Sequence, residues 1–378
     1  MTLDWLHLII LLGAVQGVIL AAVLATKRTN RTANRLLAAA MLGFSIYLLD
    51  SAYYAAGLEQ RFPHFFGIAY PMPLLYGPVI YLYAVTASDR TRRLTWRDGW
   101  HFLPFAAVIV AGLPIYLMSG AGKIALYRRM QQGYLPTLLR IADPLKYVSG
   151  ISYAAATLLF LRRHHARIKD NYSSIERVNL AWLLWLAVAA AAIWVLATVS
   201  NVTHQGGRDD LVALALAIVV YGIGYQALRQ PEIFDFTARD YRPAMPVNET
   251  PAEPRYERSG LTEREAAALK DAVLRVMESD RLYQNSELTL ADLAERLGTT
   301  PHKLSEVLNS QLEQTFYDFV NAYRVRDVQR RIVDERWKNL TILSLALEAG
   351  FASKSTFNQV FKQHTGRTPS TYRSSLSR

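Results

Sequence analysis

The 378 residues predict an all-α protein in two parts. A bundle of seven transmembrane helices comes first; behind a proline-rich linker follows a soluble region with two copies of a short helix pair. Three observations carry this. Charge is segregated: residues 1–229 hold 21 Lys and Arg against 10 Asp and Glu, whereas residues 230–378 hold 21 of each. Pro231, Pro243, Pro246, Pro251 and Pro254 interrupt the chain between the two parts. A glycine-centred pattern then recurs after 52 residues, at Gly298 and Gly350.

Crossing a bilayer takes about 20 apolar residues of helix. Stretches reaching or approaching that length lie at 5–26, 36–57, 69–88, 100–119, 143–161, 178–200 and 211–228, the fifth with Asp143 and Lys146 at one end. The first has no basic segment before it and Lys27, Arg28, Arg31 and Arg35 behind it, so it reads as a retained span and not a cleaved signal. With the N-terminus outside, the inner loops and the end of the last span hold 14 Lys and Arg and the outer segments 7. Basic loops stay in the cytoplasm. The expected location is therefore the inner (cytoplasmic) membrane, with the C-terminal 149 residues in the cytoplasm. Trp5, Trp96, Trp100 and Trp182 fall near span ends, as interfacial anchors do. The net charge of +11 sits entirely in the first part.

Within the bundle, Asp50 is an ionisable group at membrane depth, costly there and a functional candidate for that reason. Three readings stand: a ligand-sensing position together with Tyr53 and Tyr54, a carboxyl hydrogen-bonded to a neighbour such as one of those tyrosines, or a carboxyl shallow enough to reach water. Pro71, Pro73 and Pro78 predict a broken or kinked third span. Chemistry-bearing patterns are missing. There is no cysteine, His164 and His165 are adjacent and cannot share a helix face, and "MSGAGK" lacks the ending of a phosphate-binding loop. No catalytic residue, metal or cofactor is expected, and no enzyme.

The soluble part divides as a linker at 230–260 and a helical domain at 261–378, with helix pairs at about 289–311 and 341–364. Thr262 and Glu265 form a capping box. Thr289 caps a helix that buries Leu290, Leu293, Ala294 and Leu297, and Gly298 stops it. Thr300 and Pro301 start the next, which buries Leu304, Val307 and Leu308 and turns His302, Lys303, Ser305, Glu306 and Asn309 outward. In the second copy Thr341 caps a helix burying Ile342, Leu345, Ala346 and Ala349. Gly350 stops it, Phe351 plugs the corner, and Ser353 opens a helix burying Phe357, Val360 and Phe361. Lys354, Ser355, Asn358, Gln359 and Lys362 face outward. Each copy is a helix-turn-helix. The stretch between them predicts a helix roughly 30 Å long, close to the spacing of about 34 Å between successive major grooves on one DNA face.

Residues 261–378 resemble the DNA-binding domain of AraC/XylS-type transcription regulators. The runs "LADLAERLG", "LSEVLN", "FYDFVNAYRV" and "LALEAGFASKSTFNQVFKQHTGRTPSTYR" carry the likeness, with Ala346, Gly350, Phe351, Phe357, Phe361, Gly366 and Pro369 in the signature places. The match covers about a third of the chain and is nearest to members with a multi-helix membrane region in front. By position, the resemblance puts the base-contacting places on His302, Lys303, Ser305 and Glu306 and on Lys354, Ser355, Asn358 and Gln359. It implies promoter DNA and RNA polymerase as partners, and a homodimer is compatible with it. Val328 stands where the family usually has a small residue, which predicts slight repacking.

Residues 261–323 hold 6 Lys and Arg against 11 Asp and Glu, and residues 324–378 hold 11 against 4. Phosphate attraction dominates DNA affinity, so the second unit and the linking helix are expected to grip DNA more than the first. The leading reading is a membrane-embedded one-component regulator driven by an unidentified small-molecule or membrane signal. The alternative is a transporter or membrane enzyme with a regulatory C-terminal domain, which would need the intramembrane polar residues or catalytic constellation that the sequence lacks.

Overall fold

The computed structural model describes residues 4–28, 30–89, 92–174, 181–204, 210–229 and 261–376. The linker expected at 230–260 lies outside them, as do Arg90, Arg177 and Arg208. Among the described residues every regular element is helical. Two compact units form, one from residues 1–162 and 180–242, the other from residues 163–179 and 243–378.

The first unit comprises α1 (Trp5–Thr26), α2 (Arg31–Ala55), α3 (Pro73–Ser88), α4 (Leu103–Tyr116), α5 (Gly120–Gln131), most of α6 (Thr137–Asn171), α7 (Ala181–His204) and α8 (Asp210–Arg229). Its main core joins Ile10, Ala14 and Ala21 of α1 to Leu37, Met41 and Leu48 of α2 and to Ala213, Ala217 and Val220 of α8. Small residues let these helices approach: a Cβ on Gly17 would collide with Ser45 Oγ of α2. The opposite face of α1 is equally apolar and faces outward, with Leu12 and Ile19 nearly 60% exposed.

Among the described residues four stretches are long and apolar enough to cross a membrane: Trp5–Thr26, Arg31–Ala55, Trp96–Tyr116 and Trp182–Ser200; Asp210–Gln226 is a shorter apolar helix. The third expected span differs from its prediction. Residues 56–72 run in turns and α3 begins only at Pro73, in the first helical turn where the missing N–H costs nothing, leaving 16 residues. Pro78 lies inside this helix. The fourth opens as a 3₁₀ stretch, Trp96–Phe102, under a Thr95–Asp98 capping box. The additional helix α5 occupies what the sequence suggests is an outer loop. Helix α6 runs well past 143–161 at both ends. Its intruding charges neutralise each other: Lys146 Nζ lies 2.8 Å from Asp143 Oδ1, which also accepts from the Tyr70 hydroxyl at 2.7 Å.

The second unit contains α9 (Glu263–Ser279), α10 (Leu290–Arg296), α11 (Pro301–Gln311), α12 (Phe316–Val333), α13 (Ile342–Glu348), α14 (Lys354–Thr365) and α15 (Pro369–Leu376). Two cores form, and α12 serves both. Phe316, Phe319, Val320 and Tyr323 pack with α9, α10 and α11, while Tyr317, Val325 and Val328 pack with Ala346, Phe351, Phe357 and Phe361. Val328 is fully buried in the second core.

Candidate nucleic-acid interface

Side-chain caps fix where each helix of the two pairs begins. Thr289 accepts from Asp292 N and Thr300 from Lys303 N; Thr341 accepts from Ser344 N and Ser353 from Thr356 N. A capping oxygen satisfies an amide that the helix leaves unpaired. Gly298 and Gly350 then turn the chain at φ +64° and +96°. The turns are not equivalent. Open space surrounds Gly298, whereas the Cα of Gly350 abuts the backbone carbonyls of Tyr283 and Gln284.

The outward faces of α11 and α14 differ as well. On α14, Lys354, Ser355, Asn358, Gln359 and Lys362 are all exposed, and Phe357, Val360 and Phe361 anchor the helix from behind. On α11 only His302 is exposed; Lys303, Ser305, Glu306 and Asn309 are half-buried. Helix α9 packs through Ala266 against Val307 on the buried side of α11, and its Glu265 carboxylate is near enough to interact with Lys303. The Glu306 Oε1 atom is buried without a hydrogen-bond partner. Asn309 donates back to Ser305 O at 2.9 Å. The structure thus presents one open outward face, on α14, and one partly covered, on α11.

Between them α12 spans about 27 Å, from its 18 residues at about 1.5 Å each. Of its four arginines, Arg326 and Arg330 are exposed. Arg331 pairs with Asp327 at 2.9 Å and with Glu348 of α13 at 2.7 Å. Arg324 is 1% exposed. Part of the positive charge counted in 324–378 is therefore internal.

The Arg324 guanidinium has five N–H bonds to satisfy, and the fold supplies five acceptors. Nε donates to Tyr283 O (2.8 Å), Nη1 to Ser173 O (2.9 Å) and Asn321 Oδ1 (3.1 Å), and Nη2 to Ser173 Oγ (3.0 Å) and Asn285 O (2.8 Å). Ser173 belongs to the segment that follows α6 and folds with this unit. Its hydroxyl donates to Leu288 O at 2.6 Å, and Tyr172 pairs antiparallel with Thr289, the cap of α10. Sequence reasoning misses this junction. One signal was available: Arg324 stands at the core-facing register of Val320 and Val328. Nothing comparable marks Ser173.

The descriptor "Helix-turn-helix domain" matches residues 293–375. An uncharacterized HTH-type transcriptional regulator of Staphylococcus aureus strain COL is 31% identical over 103 residues, which is 27% of this chain and 13% of the relative. The "Probable transcription factor PqrA" of Proteus vulgaris is 26% identical over 101 residues, 27% of this chain and 80% of that protein. The C-terminal domain is of the AraC type. The chain carries an AraC-type helix-turn-helix domain at its C-terminal end. Its match spans only about an eighth of the S. aureus relatives' length. No solved structure matches the chain. The N-terminal apolar helices fit the kind of AraC-type protein that has a membrane region in front.

The three ligand-sensing candidates of the bundle are only partly brought together. Asp50 and Tyr54 line one cavity of the first unit, with Tyr47, Tyr70 and Lys146. Tyr53 is not in its lining; its hydroxyl donates to Phe62 O at 3.0 Å. The hydrogen bond to Asp50 is not made by Tyr53, whose hydroxyl is spent on Phe62 O.

Proposed function

We propose that the protein is a membrane-embedded one-component transcription regulator. Its seven-span unit sits in the inner membrane with the N-terminus outside, senses a small-molecule or membrane signal, and controls promoter binding by the AraC-type domain in the cytoplasm. The observation that carries this is the outward apolar surface of α1 in the same chain as an AraC-type domain. Exposed Leu12 and Ile19 on a helix apolar all round suit lipid and not water. Lys354, Ser355, Asn358, Gln359 and Lys362 form the main DNA contact. His302, Lys303, Ser305 and Glu306 contribute less, their helix being half-covered and the stretch 261–323 around it acidic. RNA polymerase is the downstream partner, and a homodimer would double the contact.

Control runs through α6. That helix begins in the first unit and gives its last residues, from Arg163, to the second, where Ser173 meets the buried Arg324 of the linking helix. A phosphatase active only outside the cytoplasm, fused after residue 378, tests the topology: it should be silent, and activity would overturn the reading.

A further inference from the structure

Helix α2 places Tyr47, Asp50 and Tyr54 at i, i+3 and i+7, on one face. Tyr70 ahead of α3, Tyr116 at the end of α4 and Lys146 of α6 complete the lining of a cavity of about 250 Å³. For scale, an apolar hole of about 150 Å³ accommodates benzene. Two ionisable groups of opposite sign border the space, and the lysine already has its partner. Lys146 Nζ is 2.8 Å from Asp143 Oδ1 and 3.1 Å from the centroid of the Tyr70 ring. The Asp50 carboxyl forms no hydrogen bond or ion pair with a described residue.

From this balance we infer that the cavity is a binding site for an organic ammonium group on an apolar body. A carboxylate flanked by tyrosines is the chemistry that holds such a cation, through charge-assisted hydrogen bonds and ring faces. An anion would meet Asp50 with its compensating lysine already paired. A neutral apolar molecule would bury the carboxyl with nothing to bond. A second cavity of about 210 Å³ shares Tyr47, Pro73 and Lys146 with the first and continues among Leu186, Ile193 and Trp194. It offers the apolar continuation a lipophilic amine needs. The ammonium can come from a soluble amine or from an aminophospholipid headgroup.

This inference rests on the sensing role of the membrane unit, and binding can be tested apart from it. Full-length protein in nanodiscs of phosphatidylglycerol, which has no ammonium, is titrated with phenethylamine and with its carboxylate isostere 3-phenylpropionate, and thermal unfolding is followed. The amine should raise Tm and the carboxylate should not. Asp50→Asn, which removes a buried charge and leaves the side-chain shape, should unfold near the wild-type temperature without ligand and bind the amine at least tenfold more weakly. Phosphatidylethanolamine nanodiscs raising Tm in wild type but not in Asp50→Asn, with no amine added, would assign the site to the headgroup. No shift from either source, an equal shift with 3-phenylpropionate, or unchanged binding by Asp50→Asn would each overturn the site. Amine binding with no change in a promoter reporter would leave the site standing and overturn its role as sensor.

Discussion

Replacing Gly350 with alanine should be far more damaging than the same change at Gly298, although the two stand at the same place in the two helix-turn-helix units. Both glycines have positive φ, +64° at Gly298 and +96° at Gly350. Left-handed backbone costs an L-residue about 1–2 kcal/mol. At Gly298 nothing lies within 4 Å of a new Cβ, so that strain is the whole cost. At Gly350 the Cβ would overlap the Tyr283 carbonyl oxygen and lie 2.8 Å from that of Gln284. These are backbone atoms and cannot rotate away. Tyr283 O also accepts the Arg324 Nε–H, so pushing it aside disturbs the buried guanidinium. The combined loss should be on the order of 4 kcal/mol or more, against a typical domain stability of about 5–15 kcal/mol. The assay is urea unfolding of full-length protein in detergent, read as the protease resistance of the C-terminal unit. Gly298→Ala should shift the opening equilibrium by about one order of magnitude or slightly more, since about 1.4 kcal/mol is tenfold; Gly350→Ala should shift it by about three. Equal losses would refute the close approach at Gly350.

Operator binding should rank the two units: Asn358→Ala should weaken it by about 1–3 kcal/mol through a lost base contact, and Lys354→Ala should reduce the salt slope by about 1. His302→Ala should do less than either; the reverse order, measured by gel shift across salt concentrations, would contradict the ranking. Arg324→Met strands the acceptors on Tyr283, Asn285 and Ser173 and should destabilise by the same protease assay, at about 1–3 kcal/mol for a buried acceptor left unsatisfied. Burial, and next the nearby Asp318 carboxylate, push the Asp170 carboxyl above its ordinary value. The folded state therefore holds that proton more tightly, and stability is lost as pH rises through the raised pKa. Asp170→Asn should raise the urea midpoint at pH about 7 and leave it unchanged well below the unfolded value of about 3.9.

Local rules made the AraC-type domain legible. Threonine and serine caps, glycine stops and helical apolar spacing act within a few residues, and Thr289, Thr300, Thr341, Ser353, Gly298 and Gly350 all stand where their chemistry assigned them. What stayed hidden depends on contacts distant in sequence. Ser173 meets Arg324 across 151 positions. Helix α9 brings Ala266 to Val307 and Glu265 close to Lys303, and no pattern within α11 reports that. In the first unit, apolar runs predicted where helices lie better than where they end. Prolines 71 and 73 delay α3, and the Asp143–Lys146 pair lets α6 pass through a charged stretch. Exposed Lys354 and Asn358 were readable because a polar stripe opposite Phe357 and Phe361 needs no distant partner.

One membrane-held chain is expected to seat two reading helices in neighbouring turns of DNA. Genome-wide mapping of the intact protein supplies the operator, and hydroxyl-radical footprinting of that operator on protein in inverted membrane vesicles tests the claim. Two protected patches on one face, about 10 base pairs apart, should appear on DNA that sediments with the vesicles. A single patch, or protection only by protein released from the membrane, would contradict it.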